Sequence, residues 1–388
     1  MRVALLGPYS GDLSRVGGGP EAVVVQLAQG LRRAGVEVHV VTFDFTGQQA
    51  ADTTSEADGV TVHRLRLRRL PRWTGVRINA RVLAQKLRAI SPDIAHAHSA
   101  GTFADGALGS GLPAVITVHG VIEQEAAIVR QSGISWREDV AWRYEAWYER
   151  RCLSRARDVI AISPYVADFY RGLTGARLSL VENPVARAYF DLPDQAQPAT
   201  ILCAARVIHR KNVLGLLHAF ARLRQHVPQA RLRLAGETTS EPNYAQQCRQ
   251  FVAANGLDDA VDFLGWLDEA ALRVEYSRCR ALALLSWQET APVAIEQAMA
   301  AGKPVVASAV GGVPTLVQDG VTGFVVPPDD PAGQAAALQR ILQDDTLRRA
   351  MGEAARAAAL ARFHPDQVTA QTLAVYQQAI ASQKTVPS

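Results

Sequence analysis

The chain has 388 residues, 48% of them hydrophobic and 20% charged, with a formal net charge of +4. This composition predicts a soluble globular protein long enough for two domains. The charge is too mild to announce a nucleic-acid binder, and no stretch reaches the roughly 18 consecutive apolar residues that a membrane span needs.

The opening MRVALLGPYSGDLS has a short apolar run closed by a Gly-Pro turn. It reads as a first strand and not as a secretory signal. Strand and helix patterns then alternate, which predicts parallel sheets with helices on both faces. In the first half, strands are expected at residues 3–6, 37–42, 60–65, 94–97, 114–118, 159–162 and 178–181. The main helices are expected at 21–33, 76–89 and 138–154. The Pro-rich segment DLPDQAQPAT (191–200) has neither periodicity and reads as a domain boundary. The second half repeats the scheme with strands at 200–204, 231–235, 260–264, 281–285, 305–307 and 323–326. A last helix at about 366–382 could lie on either domain. The whole predicts two similar α/β domains facing across a cleft.

Cys152, Cys203, Cys248 and Cys279 are widely spaced, with no C-x-x-C pair, and read as buried free thiols in a reducing cytosol. Between Arg64 and Arg88 lie nine basic residues and no acidic one. That cluster reads first as a solvated face with snorkelling arginines. The sharper alternative is a patch for anionic lipid head groups or an acidic acceptor, aided by Leu65, Leu67, Leu70 and Trp73.

Several groups could do chemistry. Gly17, Gly18 and Gly19 precede Pro20-Glu21 at a helix start. They suit either a flexible loop or a cradle whose N–H groups meet an anion. The G-x-G-x-x-G fingerprint is absent. His119 ends an apolar strand, where an open α/β sheet presents ligand-facing side chains, although a lone histidine can equally be structural. His96 and His98 alternate on a strand and read as packed residues, since no third metal ligand is near. Arg206 and Lys211 follow the first strand of the second half and suit a diphosphate, bidentate guanidinium beside a point-charge ammonium. The polar run Ser286-Trp287-Gln288-Glu289 crests another strand and places Glu289 at a ligand-holding edge. No D-x-D, H-E-x-x-H, G-x-S-x-G or P-loop pattern occurs, so no metal site is expected.

Together these residues carry a resemblance. The Gly-rich loop, the strand-tip His119, the Arg206/Lys211 pair and a Glu-x7-Glu-like run before Ala-Met-Ala-x-Gly resemble the retaining glycosyltransferase family 4 of the GT-B fold. Weaker echoes are PDIAHAH, AISPYV, VENPV, RLAGE and VDFLGW. The resemblance implies two Rossmann-like domains: residues 1–190 binding the acceptor and 199–364 binding the nucleotide sugar, with 365–388 as a closing helix and tail. It implies retaining sugar transfer from a nucleotide-diphosphate sugar to an acceptor hydroxyl, without cofactor or metal, in polysaccharide, lipopolysaccharide or glycolipid biosynthesis. Alternatives are a nucleotide-sugar-binding subunit without turnover and an epimerase of the same fold. Glu289 and His119 would contact the donor sugar, while Arg206, Lys211 and the glycines would meet the diphosphate. The ribose position is occupied by Gln297 where relatives carry Glu, with Glu296 as its alternative. The expected location is cytoplasmic, with a peripheral membrane contact through the basic cluster and a sugar, glycolipid or small-molecule acceptor.

Overall fold

The computed structural model describes residues 1–10, 19–47, 51–69, 72–131 and 133–384. It divides into two units. One comprises residues 1–123, 136–184 and 365–388, the other 124–135 and 185–364.

In the first unit, β1 (Arg2–Leu6), α1 (Gly19–Arg33), β2 (Glu37–Asp44), β3 (Thr53–Ala57) and β4 (Val60–Arg66) are followed by α2 (Arg72–Ile90) and β5 (Ile94–His98). Next come α3 (Thr102–Leu108), β6 (Ala114–Val118) and α4 (Ile122–Gln131), which passes into the second unit's residues after Glu123. Then α5 (Trp136–Arg155), β7 (Asp158–Ala161), α6 (Pro164–Tyr170) and β8 (Arg177–Leu180) complete the order. The eight strands run β3-β4-β2-β1-β5-β6-β7-β8, and all neighbours are parallel except β3 with β4. Every residue of β5 and β7 is buried, as expected of strands covered on both faces.

The antiparallel strand β3 falls in a segment expected to be loop. Thr53–Ala57 lacks apolar alternation and is mostly exposed. It pairs with β4 because Asp58 and Gly59 both take positive φ, 51° and 72°, the geometry of a two-residue hairpin turn.

The second unit contains α7 (Arg187–Phe190), β9 (Thr200–Ala204), α8 (Val213–His226), β10 (Arg231–Ala235), α9 (Pro242–Ala254), β11 (Val261–Gly265) and α10 (Glu269–Arg278). It continues with β12 (Ala281–Leu284), α11 (Val293–Ala300), β13 (Val305–Ser308), α12 (Val313–Leu316), β14 (Gly323–Val326), α13 (Pro331–Gln343) and α14 (Asp345–Arg362). Its wholly parallel sheet has the order β11-β10-β9-β12-β13-β14. The chain winds outward from β9 to β11, then restarts at β12 and winds the other way. The switch point therefore lies between the carboxyl ends of β9 and β12, where an open α/β sheet leaves a crevice.

The boundary differs from the sequence expectation. Residues 191–198 are no linker, because the second unit satisfies their backbone. Gln195 and Gln197 donate to the Ser277 and Arg278 carbonyls at 3.1 and 2.8 Å. Asp194 pairs with Lys303, whose side chain is wholly buried, and with Arg348. The units divide instead at Pro184/Val185.

The last helix, α15 (Pro365–Lys384), belongs to the first unit and packs on α1. Val368, Val375, Tyr376 and Ala379 share a core with β1, β2 and α1. Gly30 makes the approach possible, since a Cβ there would lie 2.1 Å from Thr369 Oγ1. Among the described residues, no helix is long and apolar enough to cross a membrane.

Candidate functional site

The switch point of the second sheet gathers the charged residues singled out in the sequence. After β9 the chain turns through Arg206, then a short 3-10 turn, His209–Lys211, and reaches Asn212 at φ 48° and ψ 42°. Asn tolerates this left-handed conformation and caps α8 by accepting from the Gly215 N–H at 3.2 Å. Its side-chain amide also donates to the Leu285 carbonyl at 2.9 Å, tying this turn to the end of β12. Trp287 N–H donates to the Arg210 carbonyl at 2.9 Å, a second tie.

Lys211 and Glu289 are thereby placed in contact: Nζ donates to Oε1 at 2.5 Å, and Ser286 Oγ donates to the same oxygen at 2.6 Å. Glu289 Oε2 lies 4.0 Å from Arg210 Nη1, and that guanidinium also donates to the Gln288 carbonyl at 3.2 Å. Arg206 is exposed on the same turn. Burial opposes the Glu289 charge, but Lys211, then Arg210, outweigh it and hold the carboxyl below its usual range. Burial draws the Lys211 ammonium down, Glu289 opposes this, and Arg210 and Arg206 add like-charge repulsion. The result is two cations at one carboxylate with a third, Arg206, on the same turn, an excess of positive charge suited to a polyanion.

Two features depart from the sequence reading. The Ser-Trp-Gln-Glu run is not an exposed crest, for only Trp287 is partly exposed and Glu289 is 4% exposed. Ser286 Oγ and Glu289 Oε1 find partners in the fold, which makes their burial tolerable, whereas Gln288 Nε2 is buried without a hydrogen-bond partner among the described residues. Arg210 went unnoticed among adjacent cations in IHRKN. Only the turn geometry sends its side chain towards Gln288 and Glu289. The carbonyl of Glu289 accepts from Gly312 N–H at 3.1 Å, and a Cβ on Gly311, at φ 51°, would lie 1.8 Å from that carbonyl oxygen. The Gly-Gly turn after β13 is thus a spatial requirement for seating Glu289.

On α11, Gln297 is partly exposed, and its Oε1 accepts from the Tyr276 hydroxyl at 3.2 Å. Glu296, one position earlier, has no exposed surface. An added ligand has access to Gln297 and not to Glu296.

In the first unit the equivalent switch point lies between β1 and β5, which diverge towards β2 and β6 respectively. His98 ends β5, and its Nδ1 lies 3.0 Å from His119 Nε2, just past β6, with the rings stacked at 5.3 Å. His96 is fixed on the other side, 2.6 Å from both the Tyr376 hydroxyl and Thr117 Oγ1. Burial lowers His119 to about 4 and His96 to about 3, with His119 adding to the latter. All three rings are therefore neutral near pH 7. Gly19 opens α1, while Gly17 and Gly18 lie outside the described residues.

The basic cluster is not one face. Leu65 is buried in the core, so it cannot interleave with charges at a membrane. Arg64 donates to the Ser10 carbonyl, and Arg69 to those of Phe45 and Thr46. Leu70 lies outside the described residues, as does the Trp73 side chain. All four cysteines are buried free thiols. Among the described residues, no group of three or more His, Cys, Asp or Glu is placed to hold a metal ion.

Comparisons with known proteins agree with this layout. Residues 188–358 match the family described as glycosyl transferases group 1, and residues 17–188 match glycosyltransferase family 4. A D-inositol 3-phosphate glycosyltransferase of Nocardioides sp. is 34% identical over 212 residues, covering 52% of this chain and 45% of that protein. A glycogen synthase of Mycobacterium tuberculosis is 29% identical over 304 residues, covering 74% and 69%. The chain thus spans less than half of the first relative's length. Among solved structures, a sucrose-phosphate synthase of Thermosynechococcus elongatus superposes with a TM-score of 0.80 at 22% identity, covering 98% of this chain and 99% of that one. Anabaena HepE in complex with UDP and glucose gives 0.73 at 19%, covering 97% and 100%. These likenesses establish the fold as GT-B.

Proposed function

The chain belongs to glycosyltransferase family 4, and from that premise we propose that it moves a sugar from a nucleotide-diphosphate donor to an acceptor hydroxyl with retention at the anomeric carbon. The observation that carries the reading is the convergence of Arg210 and Lys211 on Glu289 at the second sheet's switch point, with Arg206 exposed on the same turn and close enough to act on the Lys211 charge.

Breaking the bond between the anomeric carbon and the phosphate oxygen leaves a diphosphate, whose growing charge needs cations fixed beforehand. Arg206, Arg210 and Lys211 supply them without a metal. Lys211 exchanges Glu289 for a diphosphate oxygen when the donor enters. Glu289, ionised and held by Ser286, then accepts hydrogen bonds from donor hydroxyls and orients the sugar. The acceptor oxygen bonds to the anomeric carbon on the face the diphosphate leaves, and its proton passes to the departing phosphate oxygen. No protein nucleophile is needed. His119, neutral at pH 7, serves as a hydrogen-bond partner for a donor hydroxyl and not as a general acid. Gly17–Gly19 are assigned to the diphosphate and Gln297 to the ribose. The acceptor reading is a polysaccharide, lipopolysaccharide or glycolipid precursor.

Gln297 motivates a second reading, a subunit that binds the nucleotide sugar without turnover, because an amide holds ribose without charge assistance. Incubating the purified chain with a panel of nucleotide sugars, with and without sugar acceptors, separates the readings. Acceptor-dependent release of nucleoside diphosphate with an α-linked product from an α-linked donor supports transfer. Binding without turnover supports the second reading, and acceptor-independent isomerisation of the donor overturns both.

A further inference from the structure

The first unit holds a groove of about 650 Å³ lined by Thr74, Arg77, Ile78 and Arg81 of α2 and by Tyr144 and Trp147 of α5. We propose that this groove binds an acidic saccharide, a sugar unit bearing a carboxylate, as a subsite for the acceptor. The inference rests on the sugar-transfer reading for its purpose, though not for its chemistry.

Both walls are fixed to the same short helix. Gly106 of α3 lets α2 approach closely, since a Cβ there would lie 2.6 Å from Leu83 Cβ and 3.2 Å from the Ala80 carbonyl oxygen. On the other side, Asp105 of α3 accepts from the Tyr148 hydroxyl at 2.8 Å and pairs with Arg151 and Arg155 of α5. The groove is thereby pre-formed, which limits the ordering that binding must impose.

Its lining combines two recognition elements. Arg77 and Arg81 are exposed one helical turn apart, and neither makes a hydrogen bond or ion pair with any described residue. Among the described residues, no acidic side chain lines the groove. Opposite them, the Tyr144 and Trp147 rings lie 5.7 Å apart and tilted by 33°, with Trp147 50% exposed. An exposed indole offers a flat apolar face to the C–H side of a sugar ring, and a free guanidinium grips a carboxylate bidentately. The volume falls within the range of small-ligand pockets, about 300–1,000 Å³. A lipid surface fits less well. Of the apolar residues interleaved with the basic cluster, Leu65 is buried in the core and cannot enter a bilayer.

The test uses the full chain and four probes: an oligogalacturonate, its methyl ester, inorganic phosphate, and phosphatidylcholine vesicles with or without phosphatidylglycerol. Oligogalacturonate is expected to bind, with the ester at least about tenfold weaker, as loss of a charge-assisted contact implies. Arg77→Ala/Arg81→Ala should lose a similar factor, and Trp147→Leu should weaken the acid and the ester alike. Nucleoside diphosphate affinity should stay unchanged in these variants, which separates failure here from failure of the donor site. Equal binding of acid and ester, indifference to the arginine substitutions, competition by phosphate alone at the same affinity, or binding only to anionic vesicles would each overturn the proposal.

Discussion

Lys211 Nζ lies 2.5 Å from Glu289 Oε1, although the two residues are 78 positions apart and approach from different strands. Both side chains are largely buried, 15% and 5% exposed. Such a pair contributes less by its own attraction than by the penalty incurred when one member is removed.

Glu289→Ala should abolish transfer while leaving nucleoside diphosphate binding within a few-fold of the parent, and should also lower stability. An unpaired buried charge costs about 3–5 kcal/mol; here it is the Lys211 ammonium, whose partial exposure to solvent lessens the cost while the like charge of Arg210 adds to it. The double variant Glu289→Gln/Lys211→Met should be more stable than Glu289→Ala. Thermal melts of the three proteins with a donor-turnover assay check this. Unchanged turnover in Glu289→Ala would remove that carboxylate from the mechanism.

Gly311→Ala should be costly at a distance from any substrate. Its φ of 51° and the 1.8 Å clash with the Glu289 carbonyl oxygen act together, for a loss of about 2 kcal/mol or more and displaced Glu289 chemistry. Gly256→Ala, at φ 60° with nothing within 4 Å, isolates the backbone penalty, about 1 kcal/mol. Equal melting temperatures for the two variants would refute the packing argument.

Stability should fall between pH 7 and pH 4. His63, His96 and His119 have folded values of about 4, 3 and 4, below the ordinary 6.5, so the unfolded chain binds more protons as pH drops. Their contribution is complete above about pH 6.5 and is lost on acidification, each proton adding up to ~1.4 kcal/mol per pH unit. Glu289, also depressed, extends the loss below its ordinary value of 4.5. Urea melts across this range should show the slope, and His119→Asn should reduce it.

Gln297→Glu should tighten a nucleoside diphosphate several-fold if the side chain meets ribose, because a carboxylate accepts a hydroxyl more strongly than an amide oxygen does. Titration calorimetry reads this directly. Unchanged affinity would place the ribose elsewhere.

Regular elements of the second unit were legible because its strands are short continuous apolar runs between turn residues, as at Thr200–Ala204 and Ala281–Leu284. The hairpin β3–β4 was missed because Thr53–Ala57 is polar, although the Asp58-Gly59 pair signalled it. The boundary was misread because Pro and polar residues also describe a strap whose carbonyls and amides are satisfied by a neighbouring helix end, as with Gln195 and Gln197. At the candidate site, Lys211 and Glu289 were readable as types placed at strand ends. Their mutual contact was not, since it depends on the left-handed Asn212 and on the tight passage of Gly311.

The return of α15 to the first unit has a consequence for synthesis. Residues 185–364 are contiguous apart from the short segment 124–135, so that unit has all its strands once Val326 has been translated. The first unit has its eight strands much earlier but lacks Val368, Val375, Tyr376 and Ala379 until the last helix is made. Until then α1 exposes the face that Tyr376 and its neighbours cover, and His96 lacks its hydroxyl partner. The half that begins first on the ribosome is the half that finishes last.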